Sequence, residues 1–429
     1  MRKFLNSFIK FLLLIPIFYS LILNTANAAE KPPKINAESS ILIDANTGQV
    51  LYSKDENAKH FPASTTKILT ALVILDNTNL KDVVTIGHNP PFADGSSIGL
   101  KEGEKFTVET LLTGLLLESG NDCAEALAEH VGGSIKNFAK MMNEKAKELG
   151  CNDSNFENPS GLPNNKHVTT AHDLALIMRA ALDNPNYIKI SRIVSTQLPA
   201  SNLDGEKRWV NNHNYLLNKN SKYYYKYTLA GKSGYTDVAR HTFVISGEKN
   251  GERLIAVFLK ANDKVKNYKD MANLLDYGFN NFKEVKLYSK NEVIENLKIT
   301  KDLNLPIVLG NNVLFATEKS NNDSINKSLK YKLPRNVKRK TLKKGDVICE
   351  ADVLVNGKKI STVNLLSGVN REYNFKTGIF EFVSNNLIEV IIGSIVSLTI
   401  ILFIIISIIK KRKRNKFHKK WKHVINRQK

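Results

Sequence analysis

Ser64 and Lys67 stand three residues apart in Pro62-Ala63-Ser64-Thr65-Thr66-Lys67, at the head of the apolar run Ile68-Leu69-Thr70-Ala71-Leu72-Val73. Side chains three apart on a helix share a face, so a hydroxyl and an amine would point into one cleft. A serine hydroxyl is a weak nucleophile that needs a base beside it. Lysine supplies that base only where burial or a second cation keeps it neutral. An isolated Ser-x-x-Lys is ordinarily a capping serine followed by a surface lysine. Two further segments change that balance. Ser119-Gly120-Asn121 lies between two apolar helices and offers a hydroxyl and a carboxamide, enough to relay a proton and orient a lysine; Ser, Gly and Asn are equally plain turn residues. Gly231-Lys232-Ser233-Gly234 precedes the strand pattern at Thr242 to Ser246 and brings a cation, a hydroxyl and a permissive glycine near a sheet edge, or else makes a hairpin turn with a solvated lysine.

The elements that must position these groups are legible in outline. Residues 29–38, with Pro32 and Pro33, read as a linker. Ser40 to Asp44, an Asn46-Thr47-Gly48 turn and Val50 to Tyr52 read as a hairpin. Helices are predicted from Ser64 into Asp76, over Thr107 to Leu117 with Thr107 as N-cap, Asn121 to His130, Ser134 to Leu149, and Ala171 to Leu182. Strand patterns return at Thr242 to Ser246 and Leu254 to Leu259, before a helix near Val265 to Phe282. Strands, helices and strands again predict an α+β domain over 39–283 whose terminal strands meet in one sheet. From 285 to 376 short apolar runs predict a small all-β domain, with Asn356-Gly357 suited to a type I′ hairpin turn.

Composition and the chain ends narrow the class. The 429 residues carry a formal charge of +21, but the last twenty hold eleven Lys and Arg with no acid and three more basic residues precede residue 29, leaving +7 in the long middle. That distribution argues against a nucleic-acid binder. Arg2, Lys3 and Lys10, an apolar run from Phe11 to Leu23, and Ala26-Asn27-Ala28 read as a signal peptide over 1–28. Near the other end, an Ile-rich segment within 387–409 is long enough to cross a bilayer as one helix. The basic tail at 410–429 then places that end in the cytoplasm and the middle outside, so the protein reads as exported and anchored. Three cysteines, Cys123, Cys151 and Cys349, have no zinc or redox spacing, and no His-Glu-x-x-His occurs; no metal or cofactor is expected.

Ser-x-x-Lys, Ser-x-Asn and Lys-Ser-Gly in this order resemble the signature of penicillin-binding proteins and class A β-lactamases, with Gly120 and Ser233 in place of the usual Asp and Thr. The likeness extends through Gly95-Ser96-Ser97-Ile98-Gly99-Leu100, Leu115 to Asp122, Asn158-Pro159-Ser160-Gly161-Leu162 and Thr170-Ala171-His172-Asp173. On these motifs the chain resembles the low-molecular-mass penicillin-binding proteins that act as D-alanyl-D-alanine carboxypeptidases. The resemblance implies a β-lactamase/transpeptidase-like catalytic domain, a small β domain, and a role in peptidoglycan maturation and cell shape. It implies that Ser64 is acylated by a peptidoglycan stem peptide ending in D-Ala-D-Ala, and by β-lactam antibiotics, with Lys67 as base. Ser119 and Asn121 would relay protons and hold the substrate amide. The backbone N–H groups of Ser64 and Tyr235 would form an oxyanion hole, while Lys232 and Ser233, followed by Gly234, bind the terminal carboxylate. Well-known members anchor by an amphipathic helix lying on the membrane, whereas the segment here is long enough to span. Two alternatives stand beside this reading. A class A β-lactamase needs a positioned glutamate, and Glu157 lacks that family's E-x-x-L-N pattern. A non-catalytic wall or antibiotic sensor should carry a signalling domain, where only about twenty mostly basic residues follow the apolar helix.

Overall fold

Strands β1 (Ala37–Asp44) and β2 (Val50–Lys54) form the expected hairpin, with β1 starting inside the stretch read as linker because Ile35 and Ala37 are already buried. The computed structural model describes residues 31–203, 205–300, 303–321 and 324–425; the signal peptide read over 1–28 lies outside them. Those residues divide into two units, one running to Val285 and taking in the segment from Leu314, the other covering Lys286–Val313 and Ser324 onward.

In the first unit the chain returns after the helical block as β3 (Thr228–Thr236), β4 (Arg240–Lys249) and β5 (Glu252–Ala261). The sheet order is β2-β1-β5-β4-β3, all antiparallel, so the first and last strands do meet in one sheet and β3 is an edge. Both faces are apolar because both are covered. Ile41, Ile43, Val244, Ile255, Val257 and Leu259 face the helical block, while Leu42, Phe243, Ile245, Leu254, Ala256 and Phe258 face a C-terminal helix. Each Val, Ile, Leu or Phe among them contributes about 2 kcal/mol on burial.

The helical block contains α1 (Lys67–Asn77), α2 (Val108–Leu117), α3 (Asn121–Gly132), α4 (Ile135–Glu148), α5 (Ala171–Leu182) and α6 (Pro185–Ser191). Their starts are written in capping residues. The side chains of Thr107, Ser134 and Thr170 each accept the backbone N–H three residues on, which satisfies a donor that the helix leaves free. Helix α1 is buried on every side from Lys67 to Ile74, as a helix apolar all round must be. Helix α7 (Lys264–Asn281), capped by Asp263, covers the other face of the sheet.

The second unit carries a five-stranded antiparallel sheet, β6 (Val293–Lys298), β7 (Asn304–Leu309), β8 (Lys327–Tyr331), β9 (Val347–Val355) and β10 (Lys358–Ser367), in the order β6-β7-β10-β9-β8. Asn356 and Gly357 both have positive φ, +51° and +77°, as a type I′ turn between β9 and β10 demands. Two features depart from the sequence reading. Strand Val313–Glu318 pairs with Phe282–Tyr288, and from Leu314 it belongs to the first unit, where the Ala316 N–H donates to Gln49. Helix α8 (Phe375–Asn385), held by an Asn374/Thr377 capping box, was not anticipated at the end of a β-rich stretch. Helix α9 (Leu387–Ile425) then runs through the apolar segment and on into the basic one. Ser394, Ser397 and Thr399 turn their hydroxyls back onto carbonyls of their own helix, which satisfies those three groups without water.

Candidate active site

Ser64 lies in a single 3-10 turn, Ala63–Thr66, that leads into α1. The turn is held from both sides. Thr65 and Thr242 each donate to the Pro62 carbonyl, at 2.7 and 2.8 Å, and Ala63 is forced to φ +49°. A non-glycine residue in the left-handed region costs on the order of 1 kcal/mol, which marks the residue before Ser64 as strained. Two glycines make the fit. A Cβ on Gly161 would stand 1.9 Å from the Ala63 oxygen, and one on Gly234 would stand 2.6 Å from the Ser64 nitrogen.

Lys67 is fully buried, and its Nζ meets three oxygens: Asn121 Oδ1 at 2.6 Å, the Ser160 carbonyl at 2.7 Å and Ser64 Oγ at 3.2 Å. Burial, reinforced by the neighbouring Lys232, holds its pKa well below the usual ammonium range. A neutral amine has two N–H groups and one lone pair. The amide oxygen and the carbonyl can only accept, so they take both N–H groups. The lone pair is left for Ser64, whose hydroxyl is the one partner able to donate.

Asn121 is itself fixed, its Nδ2 donating to the Asp94 carbonyl at 2.5 Å and its backbone N–H to Ser96 at 2.6 Å. Buried Asp122 accepts from Ser97 Oγ and from the Ile98 and Leu100 amides, which ties the Gly95–Leu100 segment to the start of α3. Ser119 sits between α2 and α3 with φ +65°, and its buried Oγ has no hydrogen-bond partner. A proton relay through Ser119 is what the motif order implies; the structure brings the hydroxyl to the cleft without joining it to Lys67.

Lys232, Ser233 and Gly234 lie within β3, not in a hairpin turn, and β3 is the sheet edge facing Ser64. Lys232 is buried, donates to the Ser233 carbonyl at 2.9 Å, and is lowered to about 7 by desolvation, with Glu118 pulling the other way. Tyr235 is half exposed, its ring 4.7 Å from His241. A cavity of about 430 Å³ opens over this edge, lined by Ser64, Ser119, Ser233, Gly234 and Tyr235; Lys67, Asn121 and Lys232 lie beneath its wall.

The cavity also takes in residues that the sequence did not single out. His213 pairs with Glu118 at 3.3 Å, and Tyr268 of α7 donates its hydroxyl to the His213 carbonyl. No motif surrounds His213 that could have flagged it. Cys123 is a buried core residue whose thiol is pushed up by burial and Asp122. Glu157, the acid weighed for a lactamase role, accepts from Asn155 at 2.7 Å. Among the described residues no three His, Cys, Asp or Glu side chains gather to hold a metal.

Two family models match the chain: one described as D-alanyl-D-alanine carboxypeptidase over residues 25–263, and one described as penicillin-binding protein 5, C-terminal domain, over residues 282–373. The D-alanyl-D-alanine carboxypeptidase DacF of Bacillus subtilis is 34% identical over 270 residues, spanning 62% of this chain and 68% of its own. The D-alanyl-D-alanine carboxypeptidase DacB2 of Mycobacterium tuberculosis is 40% identical over 248 residues, 57% of this chain and 82% of its own. Among solved structures, penicillin binding protein 5 from Haemophilus influenzae superposes with a TM-score of 0.65 at 27% identity, covering 80% of this chain and 99% of that one.

Proposed function

This chain belongs to the D-alanyl-D-alanine carboxypeptidases of the low-molecular-mass penicillin-binding type, serine enzymes of cell-wall metabolism, and from its cleft we propose how it carries out that reaction. Ser64 Oγ attacks the carbonyl between the two terminal D-alanines of a stem peptide. Its proton passes to Lys67, and D-alanine leaves as the acyl-enzyme forms. Water then releases the shortened peptide and frees Ser64. The observation that carries this reading is the set of Lys67 contacts, which assigns both N–H groups elsewhere and leaves the lone pair to Ser64.

The remaining groups follow from where charge develops. The amides of Ser64 and Tyr235, brought together by the close approach at Gly234, stabilise the oxyanion by roughly 3 kcal/mol per donor. Ser119, with an unpartnered hydroxyl on the cleft, passes the proton toward the leaving amine. Asn121 orients Lys67 and holds the substrate amide. Lys232 and Ser233 receive the free carboxylate; an arriving anion raises the Lys232 pKa from about 7 and fixes its charge. The same serine is acylated by β-lactams. The apolar part of α9 spans the membrane, with the catalytic unit on the extracytoplasmic side and the basic end in the cytoplasm.

The test uses the full chain in detergent with a pentapeptide ending in D-Ala-D-Ala, measuring free D-alanine. Release that persists in Ser64→Ala overturns the assignment.

A further inference from the structure

The Ser160 carbonyl that takes one Lys67 N–H belongs to the loop between α4 and α5, a segment that contributes no side chain to the chemistry above. What holds that carbonyl in place is therefore an open question, and two side chains answer it. Asn158 Oδ1 accepts three times, from the Ser160 N–H at 3.2 Å, Ser160 Oγ at 3.1 Å and the Gly161 N–H at 2.8 Å, while its Nδ2 donates to the Leu162 carbonyl at 3.0 Å. One amide thus wraps the whole turn, and Gly161, at φ +86°, lets it lie directly on the Ala63 backbone.

His167 closes the loop from its other end. Buried and set edge-on to Phe156, it accepts the Glu157 N–H at Nδ1 (3.2 Å) and meets Thr66 Oγ1 at Nε2 (3.0 Å). A ring nitrogen that accepts carries no proton, so the hydrogen sits on Nε2 and is donated to Thr66. Burial keeps the ring neutral, holding its pKa near 4 against the opposing pull of Glu157. Thr66 is the residue before Lys67, and Thr70, one turn on, donates to the Pro159 carbonyl at 2.7 Å. The loop is therefore fastened to the very turn of α1 that carries the lysine.

We propose that Asn158 and His167 are positioning residues that hold the Ser160 carbonyl on Lys67 and so keep the amine's lone pair on Ser64. Without that acceptor one N–H of Lys67 is free to rotate toward Ser64, and the lone pair turns away. The inference rests on Lys67 being the base, as proposed above.

The experiment is a pH profile of D-alanine release per active site, with active sites counted by fluorescent penicillin on the full-length detergent-solubilised protein. The acid limb reports protonation of Lys67. A carbonyl favours the ammonium form, so Asn158→Ala should lower the plateau at least tenfold and move the acid limb to lower pH. Asn158→Asp keeps the three acceptances and adds a negative charge, so it should keep the plateau within a few-fold and move the limb to higher pH. The other charged or titratable groups facing Lys67, which are Lys232 on β3, Asp122 and Cys123 on α3 and His167 on the loop, are unchanged in both variants. His167→Gln, which can still donate to Thr66, should retain far more activity than His167→Phe. A variant that merely destabilises the fold lowers the number of active sites and leaves the limb where it was; that result, or an unchanged plateau in Asn158→Ala, overturns the proposal. If the wild-type limb instead survives replacement of Lys67, the base assignment itself falls and the inference with it.

Discussion

The two units give their buried cations different surroundings. In the first, Lys67 and Lys232 are buried and, among the described residues, neither has a carboxylate within ion-pair distance, while Ala63 and Ser119 sit at positive φ beside them. In the second, the buried guanidinium of Arg371 has Glu381 at 2.6 Å, Lys359 meets Asp352 on the surface, and the positive φ at Asn356 is what its turn type requires. A buried charge without a partner is costly and is relieved by shedding the proton. The first unit thus concentrates strain and desolvation around Lys67 and Lys232, whereas the buried cation of the second is paired.

The largest expected effects break the first unit's side of that contrast. Ser64→Ala should abolish both D-alanine release and covalent penicillin labelling, and Lys67→Ala should lower acylation by at least about a thousandfold, measured as the rate of labelling. Lys232→Gln should follow, with a loss of roughly a hundredfold in kcat/KM, and Lys232→Arg should lose less because charge survives while geometry changes. A substrate amidated at its C-terminus should be cleaved poorly by wild type and no worse by Lys232→Gln. Equal rates for amide and free acid in wild type would remove Lys232 from carboxylate binding.

Ser119 separates strain from function. Ser119→Gly removes the orphan hydroxyl and relieves the left-handed backbone, so catalysis should fall by about a hundredfold while thermal stability rises by up to about 1 kcal/mol. Loss of both would mean that the hydroxyl serves the fold.

The pH dependence has a definite sign. Lys67 is depressed, so activity falls as pH drops through its pKa and the lysine gains a proton; Lys232 is depressed to about 7, so capture of the carboxylate weakens as pH rises through that value. A bell in kcat/KM is expected, and Lys232→Arg should remove its basic limb while leaving the acid limb.

The smallest effect belongs to the second unit. Replacing Asn356-Gly357 by Ala-Ala puts two side chains where φ is positive and should destabilise that sheet by about 2 kcal/mol, seen as an earlier thermal transition, with kcat on a small peptide unchanged. A fall in kcat would couple the two units. Truncation after Phe282 is a poorer test, because it also strips the first unit of the strand whose Ala316 bonds Gln49.

Much of this was readable from residue types because the information is local. Thr107, Ser134 and Thr170 announce helix starts through their own hydroxyls, Asn356-Gly357 announces a turn through its tolerance of positive φ, and the spacing of Ser64 and Lys67 needs only a helical turn to become a pair. Helix α8 escaped because Gly378 and the β-branched and aromatic residues of Phe375–Asn385 suit a strand equally well, and its capping box is Asn and Thr where Ser and Glu are the usual signal.

The sequence by itself determined the pairing of Ser64 with Lys67, the order of the supporting motifs and the apolar helix near the C-terminus. Only the tertiary structure decided that the Lys67 pKa falls well below the usual ammonium range, since burial by α1's neighbours and proximity to Lys232, 165 residues further on, are what lower it. It also decided that Lys232-Ser233-Gly234 forms a strand edge against Ser64, because pairing with β4 overrides the local preference of those residues for a turn. The Ser160 carbonyl shows the reason most plainly. Every residue has a carbonyl, so nothing in its identity marks one as a partner of the base; only the fold of Asn158 to His167 onto α1 selects it.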